Sequence, residues 1–392
     1  MSIPRRFVSA KAARFSESVI REMSRVCARE GGVNLAQGFP DFAAPQAMKE
    51  AACRAIRADV NQYAVTWGAP RLRQAVAERT TRYNHIETDP DRHVTVCCGA
   101  TEAMISALLA VLDPGDQVVI FEPFYENYGP DCILSGAVPR LVRLRAPGWS
   151  IDEGELRAAF NERTRAIIVN TPHNPTGKVF TRVELEQIAA LCREFDCLAV
   201  TDEIYEYILY DGAEHVSIAS LEGMRERTIT ISGLSKTWSA TGWRIGWCIA
   251  STEITGAIRK VHDFLTVGAP APLQEAAADA LAFGEEYFRQ LAADYTIRRD
   301  LLARVLRDTG FGVYLPRGAY YIMTDVSGLT HKGDVDFAME LVAQGGVATV
   351  PGSSFFLDPR DGRRMVRFCF AKRLETLERA AVVLRGRLGG AS

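Results

Sequence analysis

The sequence predicts an α/β protein: a large domain built on a mostly parallel sheet sandwiched by helices, then a smaller α+β domain. Three observations predict this. From about residue 45 to 285, short apolar runs alternate with helix-period stretches, as in strands buried on both faces and joined by helical crossovers. Beyond a long helical stretch, "FGEEYFRQLAADYTIRRDLLARVLRDTG" (283–310), strands and helices follow one another without that alternation. The length of 392 residues also exceeds what a single core commonly serves. The expected organisation is an N-terminal segment over 1–40 that packs on the small domain, a large domain over 41–285, and a small domain over 286–392.

Taken in order, the strand candidates are "HVTVCC" (93–98), "QVVIF" (117–121), "RAIIVN" (165–170), "CLAVTD" (197–202), "RTITIS" (227–232) and "RIGWCIA" (244–250). Between the third and fourth, "TRVELEQIAALCREF" places Leu185, Ile188, Ala189 and Cys192 at helical spacing. The small domain continues through "VYLPRGAYYIMTDV", a helical "VDFAMELVAQ" and "RMVRFCFAK".

Composition narrows the function. Basic side chains number 46 against 48 acidic, so no nucleic acid or polyanionic surface is expected as a partner. The nine cysteines are scattered, odd in number and without a CxxC pair, which reads as reduced thiols in a cytosolic protein. No apolar signal core opens the chain and no 18-residue apolar run occurs, so a cytoplasmic protein without membrane contact is expected.

Four strand candidates end in polar text, and ligands of open α/β sheets bind beyond the carboxyl ends of strands. After "HVTV", the stretch "CCGATEAM" lets Gly99 and Ala100 turn tightly into a helix. The free N–H groups of Gly99, Ala100 and Thr101 suit a phosphate, although an ordinary strand-to-helix turn reads the same way. After "RAIIVN" comes "NTPHNPTGKVF" (170–180), a loop stiffened by two prolines that keeps Asn174 out of helical geometry. After "CLAV" comes "TDEIYEY", whose Asp202 needs a cationic partner if buried, with helix capping as the competing reading; Tyr205 follows three residues on. After "RTITI" comes "SGLSKTWSATGWRIGW", with Lys236 among small residues and Arg244 offering a planar fork to a phosphate. A lone lysine is usually on the surface.

Together these ends supply an amine, a carboxylate, an amide, a phenol, a guanidinium and a helix start. Pyridoxal 5'-phosphate uses all of them. Lys236 would form the Schiff base with its aldehyde, and Asp202 would keep the pyridine nitrogen protonated. Asn174 and Tyr205 would hydrogen-bond the ring oxygen, and Tyr125 in "FEPFYENY" would stack on the ring.

On these residues the chain resembles the class I/II aminotransferases of pyridoxal-phosphate fold type I. "GLSKTWSATGWRIG" matches the lysine signature; "LAQGFPDF", "NQYAVTWGAP", "PRGAYYIMTD", "VPGSSF" and "VRFCFAK" follow in the family's order. It is most similar to the branch holding kynurenine/glutamine, methionine and thermophile-type aspartate aminotransferases. The resemblance implies a seven-stranded main sheet and ping-pong transamination between amino acid and 2-oxo acid substrates. It also implies Arg367 gripping the substrate α-carboxylate with Asn174, Gly38 lying against the substrate, and no metal. Tyr63 would reach the cofactor phosphate of a neighbouring subunit, hence a homodimer with shared active sites.

Three features depart from the family pattern. Gly233 stands where relatives carry a phosphate-binding serine, leaving Ser232 or Ser235 to substitute. His173 replaces a common asparagine and is read as a loop residue. Thr101 and Val267-Gly268 replace the aromatic residues of kynurenine-handling relatives, which argues against that aromatic specificity.

The same residues would also serve a β-eliminating carbon–sulfur lyase or a specialised amino-acid-modifying enzyme. A cofactor-sensing regulator is disfavoured by the roughly 35 residues preceding "AQGFPDF" and the lack of a basic patch. A metalloenzyme using His85, His93 or His173 is disfavoured because no HxxxH or HExxH spacing occurs.

Overall fold

The structure is a computed structural model and describes residues 7–389. Its main sheet comprises β1 (Val94–Cys97), β2 (Gln117–Glu122), β3 (Val138–Arg145), β4 (Ser150–Ile151), β5 (Thr164–Asn170), β6 (Leu198–Asp202), β7 (Thr228–Gly233) and β8 (Gly246–Ile249). In space these run β1-β8-β7-β6-β5-β2-β3-β4. β8 is antiparallel to both neighbours and β4 is antiparallel to β3. The pairs β2–β3, β2–β5, β5–β6 and β6–β7 are parallel. Seven strands are thus joined by a two-residue eighth at the edge. β3 carries Arg140, Arg143 and Arg145 on a strand buried mainly at Val142 and Leu144, so it lacks the apolar run that marks the inner strands.

Burial on both faces explains those inner sequences. Along β2, Val118 and Ile120 pack into one core cluster with Ala166, Ile168 and Val200, while Val119 and Phe121 join another with Ile167, Val169 and Ala199. Alternate side chains therefore meet helices on opposite sides, and both must be apolar.

A second, antiparallel sheet holds β9 (Gly312–Tyr314), β10 (Tyr321–Asp325), β11 (Val350–Pro351) and β12 (Met365–Cys369) in the order β9-β10-β12-β11. Near the N-terminus, the helix Val19–Glu30 buries Ile20, Met23, Val26 and Cys27. The following Val33–Asn34 pairs in parallel with Val347–Ala348. No helix among the described residues is long and apolar enough to cross a membrane.

The carboxyl ends of β1, β2, β5, β6 and β7 share one edge of the main sheet. β8 enters from that same edge, because Gly233 and Cys97 both pair with Gly246. That pairing explains the unusual Gly233: a Cβ there would lie 2.8 Å from the Ile245 carbonyl oxygen and 2.9 Å from Gly246 Cα.

Candidate active site

At that edge lies a cavity of about 330 Å³, within the size range of small-ligand sites. It takes in Gly38, Ala100, Thr101, Tyr125, Asn174 and Asp202, and also Tyr205, Ser235, Lys236, Arg244 and Arg367. Gly99 backs the cavity from the first turn of the helix Gly99–Val111, behind the Arg244 guanidinium. Tyr63 lies outside, 84% exposed.

Lys236 follows β7 in a tight turn, half-buried, with its Nζ donating to the Gly38 carbonyl at 3.1 Å. The same carbonyl accepts the Tyr320 hydroxyl at 2.9 Å. Burial pushes the Lys236 ammonium down to about 8, with Arg367 and Arg244 acting in the same direction and the Cys369 thiol and Asp202 opposing. A neutral, nucleophilic amine is therefore accessible near physiological pH.

Asp202 ends β6. Its Oδ2 accepts the Tyr128 hydroxyl at 2.8 Å and its Oδ1 the Ile204 N–H at 3.3 Å. Burial nonetheless raises its pKa above the ordinary carboxylate range, the signature of an acid awaiting a cationic partner. Asn170, at the end of β5, ties the neighbouring loop in place. Its amide donates to the Asp202 carbonyl at 2.8 Å, and its Oδ1 accepts the Asn174 N–H at 2.7 Å.

Asn174 in turn accepts Arg367 Nη1 at 2.7 Å, while Arg367 Nη2 donates to the Ala36 carbonyl at 3.1 Å. Arg367 is fully buried on β12, 4.0 Å from the Tyr321 ring centroid and 4.9 Å from that of Phe355. Its Nε has no hydrogen-bond partner, and no carboxylate pairs with it among the described residues. The Tyr205 and Tyr321 hydroxyls meet at 3.0 Å.

Arg244 adopts a left-handed conformation just before β8 and donates to the Thr241 and Cys98 carbonyls at 3.0 and 3.2 Å. Its guanidinium thereby faces the Gly99–Thr101 turn. Ser232 turns away, donating to Glu206 at 2.6 Å, whereas Ser235 lines the cavity. His173 sits inside its loop, Nδ1 to the Thr176 hydroxyl at 2.8 Å, and burial lowers its pKa to about 3.

Sequence reasoning passed over Tyr128, Asn170 and Asp131. Tyr128 stands three residues beyond Tyr125 in the same aromatic stretch, and Asn170 closes a strand as Asp202 does; both signals were available. Asp131, one turn beyond Tyr128 on the helix Tyr128–Ser135, carried none.

These residues fit pyridoxal phosphate. Arg21, Lys236, Arg244 and Arg367 line the cavity against Glu126, Asp131 and Asp202, and Asp131 is itself pushed up to about 7. The surplus is cationic, as a ligand bearing a phosphate and a carboxylate requires. A Cβ at Gly99 would fill the space of the Arg244 guanidinium, so the turn is kept open for that arginine. An enclosed amine, a strand-end acid and an arginine beside a helix start, all on one edge of a covered α/β sheet, define a pyridoxal-phosphate-dependent enzyme of fold type I.

Similarity to known proteins specifies the class further. Residues 30–384 match the family described as aminotransferase class I and II. The chain is 35% identical over 376 residues to the methionine aminotransferase of Escherichia coli (strain K12), covering 96% of this chain and 97% of that one. It is 36% identical over 392 residues to kynurenine–oxoglutarate transaminase 1 of Homo sapiens, covering 91% and 92%. The solved structure of N-succinyldiaminopimelate aminotransferase from Mycobacterium tuberculosis superimposes with a TM-score of 0.94 at 38% identity, covering 96% and 99%. Aspartate aminotransferase from Thermus thermophilus with maleate gives 0.90 at 33%, covering 98% and 100%. The chain belongs to the class I and II aminotransferase family and is a pyridoxal-phosphate-dependent transaminase.

Proposed function

We propose that this aminotransferase exchanges the amino group of an α-amino acid with a 2-oxo acid at the site just described, and that one observation carries the assignment of its parts. Arg367 is a fully buried guanidinium whose partners are an amide oxygen and a carbonyl rather than a carboxylate. Such a group is costly without an anion and is suited to a bidentate one. The substrate α-carboxylate supplies it, with Asn174 alongside.

Bound pyridoxal phosphate supplies the electron sink that takes up the pair left when the substrate Cα–H bond breaks. Lys236 would hold the cofactor aldehyde through its amine, and the same amine is the base placed to move the proton at the substrate Cα. Asp202, fixed by Tyr128, keeps the ring nitrogen charged, and Asn174 and Tyr205 donate to the ring oxygen. Tyr125 covers the ring face. Gly99, Ala100, Thr101, Ser235 and Arg244 hold the phosphate. Gly38 stands beside the substrate, its carbonyl held by Tyr320.

The protein acts as a homodimer in which Tyr63 reaches the partner's phosphate. Exposed Tyr63, Val65, Phe264, Leu265 and Val267 support such pairing. Nine free thiols support a reducing, cytoplasmic location.

The test is a panel of half-reactions. Single amino acids are mixed with the holoenzyme and conversion of the cofactor to its amine form is followed by absorbance. At least one amino acid should convert it completely, and Lys236→Ala should slow conversion by several orders of magnitude. A panel with no conversion, or a Lys236→Ala variant matching wild type, rejects the proposal.

A further inference from the structure

His262 and Glu102 form a buried pair beneath the cavity that the assignment above does not use. His262 lies on the helix Thr252–Thr266, and its side chain is fully buried. Its Nε2 stands 2.8 Å from the Thr66 carbonyl, which only accepts, so Nε2 carries a hydrogen. Its Nδ1 stands 3.1 Å from both oxygens of Glu102. That carboxylate already accepts the Cys98 N–H at 2.9 Å and the Ser106 hydroxyl. The Thr266 hydroxyl lies further from Nδ1, at 3.3 Å, so the two shorter carboxylate contacts place Nδ1 to donate as well, the arrangement that favours an imidazolium.

We propose that His262 is a positioning residue for the cofactor phosphate. It neutralises Glu102 under the phosphate-binding turn and ties that turn to the segment leading from Tyr63. The inference rests on the Gly99–Thr101 turn holding phosphate.

The reason is electrostatic. Glu102 sits in the first turn of the helix whose N-terminus faces the cavity. There it caps the Cys98 N–H and leaves the following N–H groups free for a ligand. An uncompensated carboxylate at that depth would repel a phosphate dianion, because a low-dielectric surround strengthens the interaction. The imidazolium cancels the charge without occupying the turn. Burial alone would lower the His262 pKa and raise that of Glu102, yet their mutual contacts, helped by Ser106 and the Cys98 N–H on the carboxylate and by the Thr66 carbonyl and Asp263 on the ring, outweigh burial and shift both the other way, toward the ionised pair.

The second contact reaches the neighbouring segment. Thr66 lies three residues past Tyr63, and the next residue, Trp67, accepts the Val96 N–H of β1 at 3.0 Å. Arg259, one turn before His262, covers the Trp67 ring at 5.0 Å. One ring thus fixes the turn and the segment in a common register.

The test measures binding of pyridoxal phosphate and of pyridoxal, which lacks the phosphate, to the apoenzyme by quenching of tryptophan fluorescence. His262→Asn should weaken pyridoxal phosphate by about ten- to a hundred-fold and leave pyridoxal nearly unchanged. Adding Glu102→Gln to that variant removes the stranded charge and should recover most of the loss. Glu102→Gln alone keeps an oxygen for the Cys98 N–H and turns its NH2 toward the Ser106 hydroxyl, which can accept, so it should bind pyridoxal phosphate at least as tightly as wild type. This single variant carries the test if His262→Asn does not fold. Equal loss of both ligands, no loss, no recovery in the double variant, or a weakened Glu102→Gln overturns the proposal. A wild-type protein that binds both ligands equally would instead reject the phosphate assignment itself.

Discussion

Asp131 is buried in the cavity wall one helical turn from Tyr128, with Oδ2 lacking any hydrogen-bond partner among the described residues. Burial, and then the charge of Asp202, pushes its pKa up to about 7. The native state therefore holds a proton that the unfolded chain releases near pH 4, so between those values stability falls as pH rises. Above pH 7 the full penalty applies. Asp131→Asn keeps the shape and removes the charge. It should stabilise the apoprotein at pH 8 by up to about 4 kcal/mol and change it little at pH 4, as read by urea denaturation at the two pH values. A variant less stable than wild type at pH 8 would show that the carboxylate has a partner in solution. Residues of this kind set the limit of sequence reading. Lys236, Asp202 and Asn174 were legible because each interrupts an apolar strand end with a chemically costly group. Asp131 and His262 sit inside helices, where an acid or a histidine is ordinary until the opposing element is known.

At the scale of elements, the strand-to-helix turn after β1 has little freedom. Gly99 has φ +80°, and a Cβ there would overlap the Arg244 guanidinium. Gly99→Ala should cost about 1–2 kcal/mol of stability for the left-handed backbone. Its larger effect should fall on pyridoxal phosphate affinity, because Arg244 must leave the turn; pyridoxal affinity should fall less. Equilibrium binding of the two ligands separates these effects, and a variant that binds both like wild type would remove Arg244 from the phosphate site. The elements themselves were unevenly legible. Strands with both faces buried announce themselves as continuous apolar runs, and six of the eight main-sheet strands were found that way. β3 was hidden because its outer position lets arginines alternate with apolar residues, and two-residue β4 has too little sequence to carry any pattern. The seven-strand expectation came from family resemblance rather than from periodicity. The conflict at Gly233 needed the β7–β8 register, which pairs residues 13 apart in the chain and leaves no local trace.

For the molecule as a whole, the open matter is what covers the surface around Tyr63. A tyrosine 84% exposed and a phenylalanine, Phe264, 92% exposed cost solubility without benefit to an isolated chain. Sequence pattern could not supply this, because exposure depends on where distant segments meet: the Thr66 carbonyl and His262 are 196 positions apart. The proposed shared site makes a distinct forecast for mixed subunits. In a homodimer of Lys236→Ala chains, every site lacks the amine; in one of Tyr63→Ala chains, every site lacks the partner's phenol. When the two are unfolded together and refolded, about half of the dimers are mixed, and each mixed dimer holds one site with both groups intact. Activity at limiting cofactor should then recover to roughly a quarter of wild type, well above either variant alone. Were Tyr63 to serve the site of its own chain, the surviving lysine would always lie beside the missing tyrosine. Mixing would then yield no more than half the activity of Tyr63→Ala.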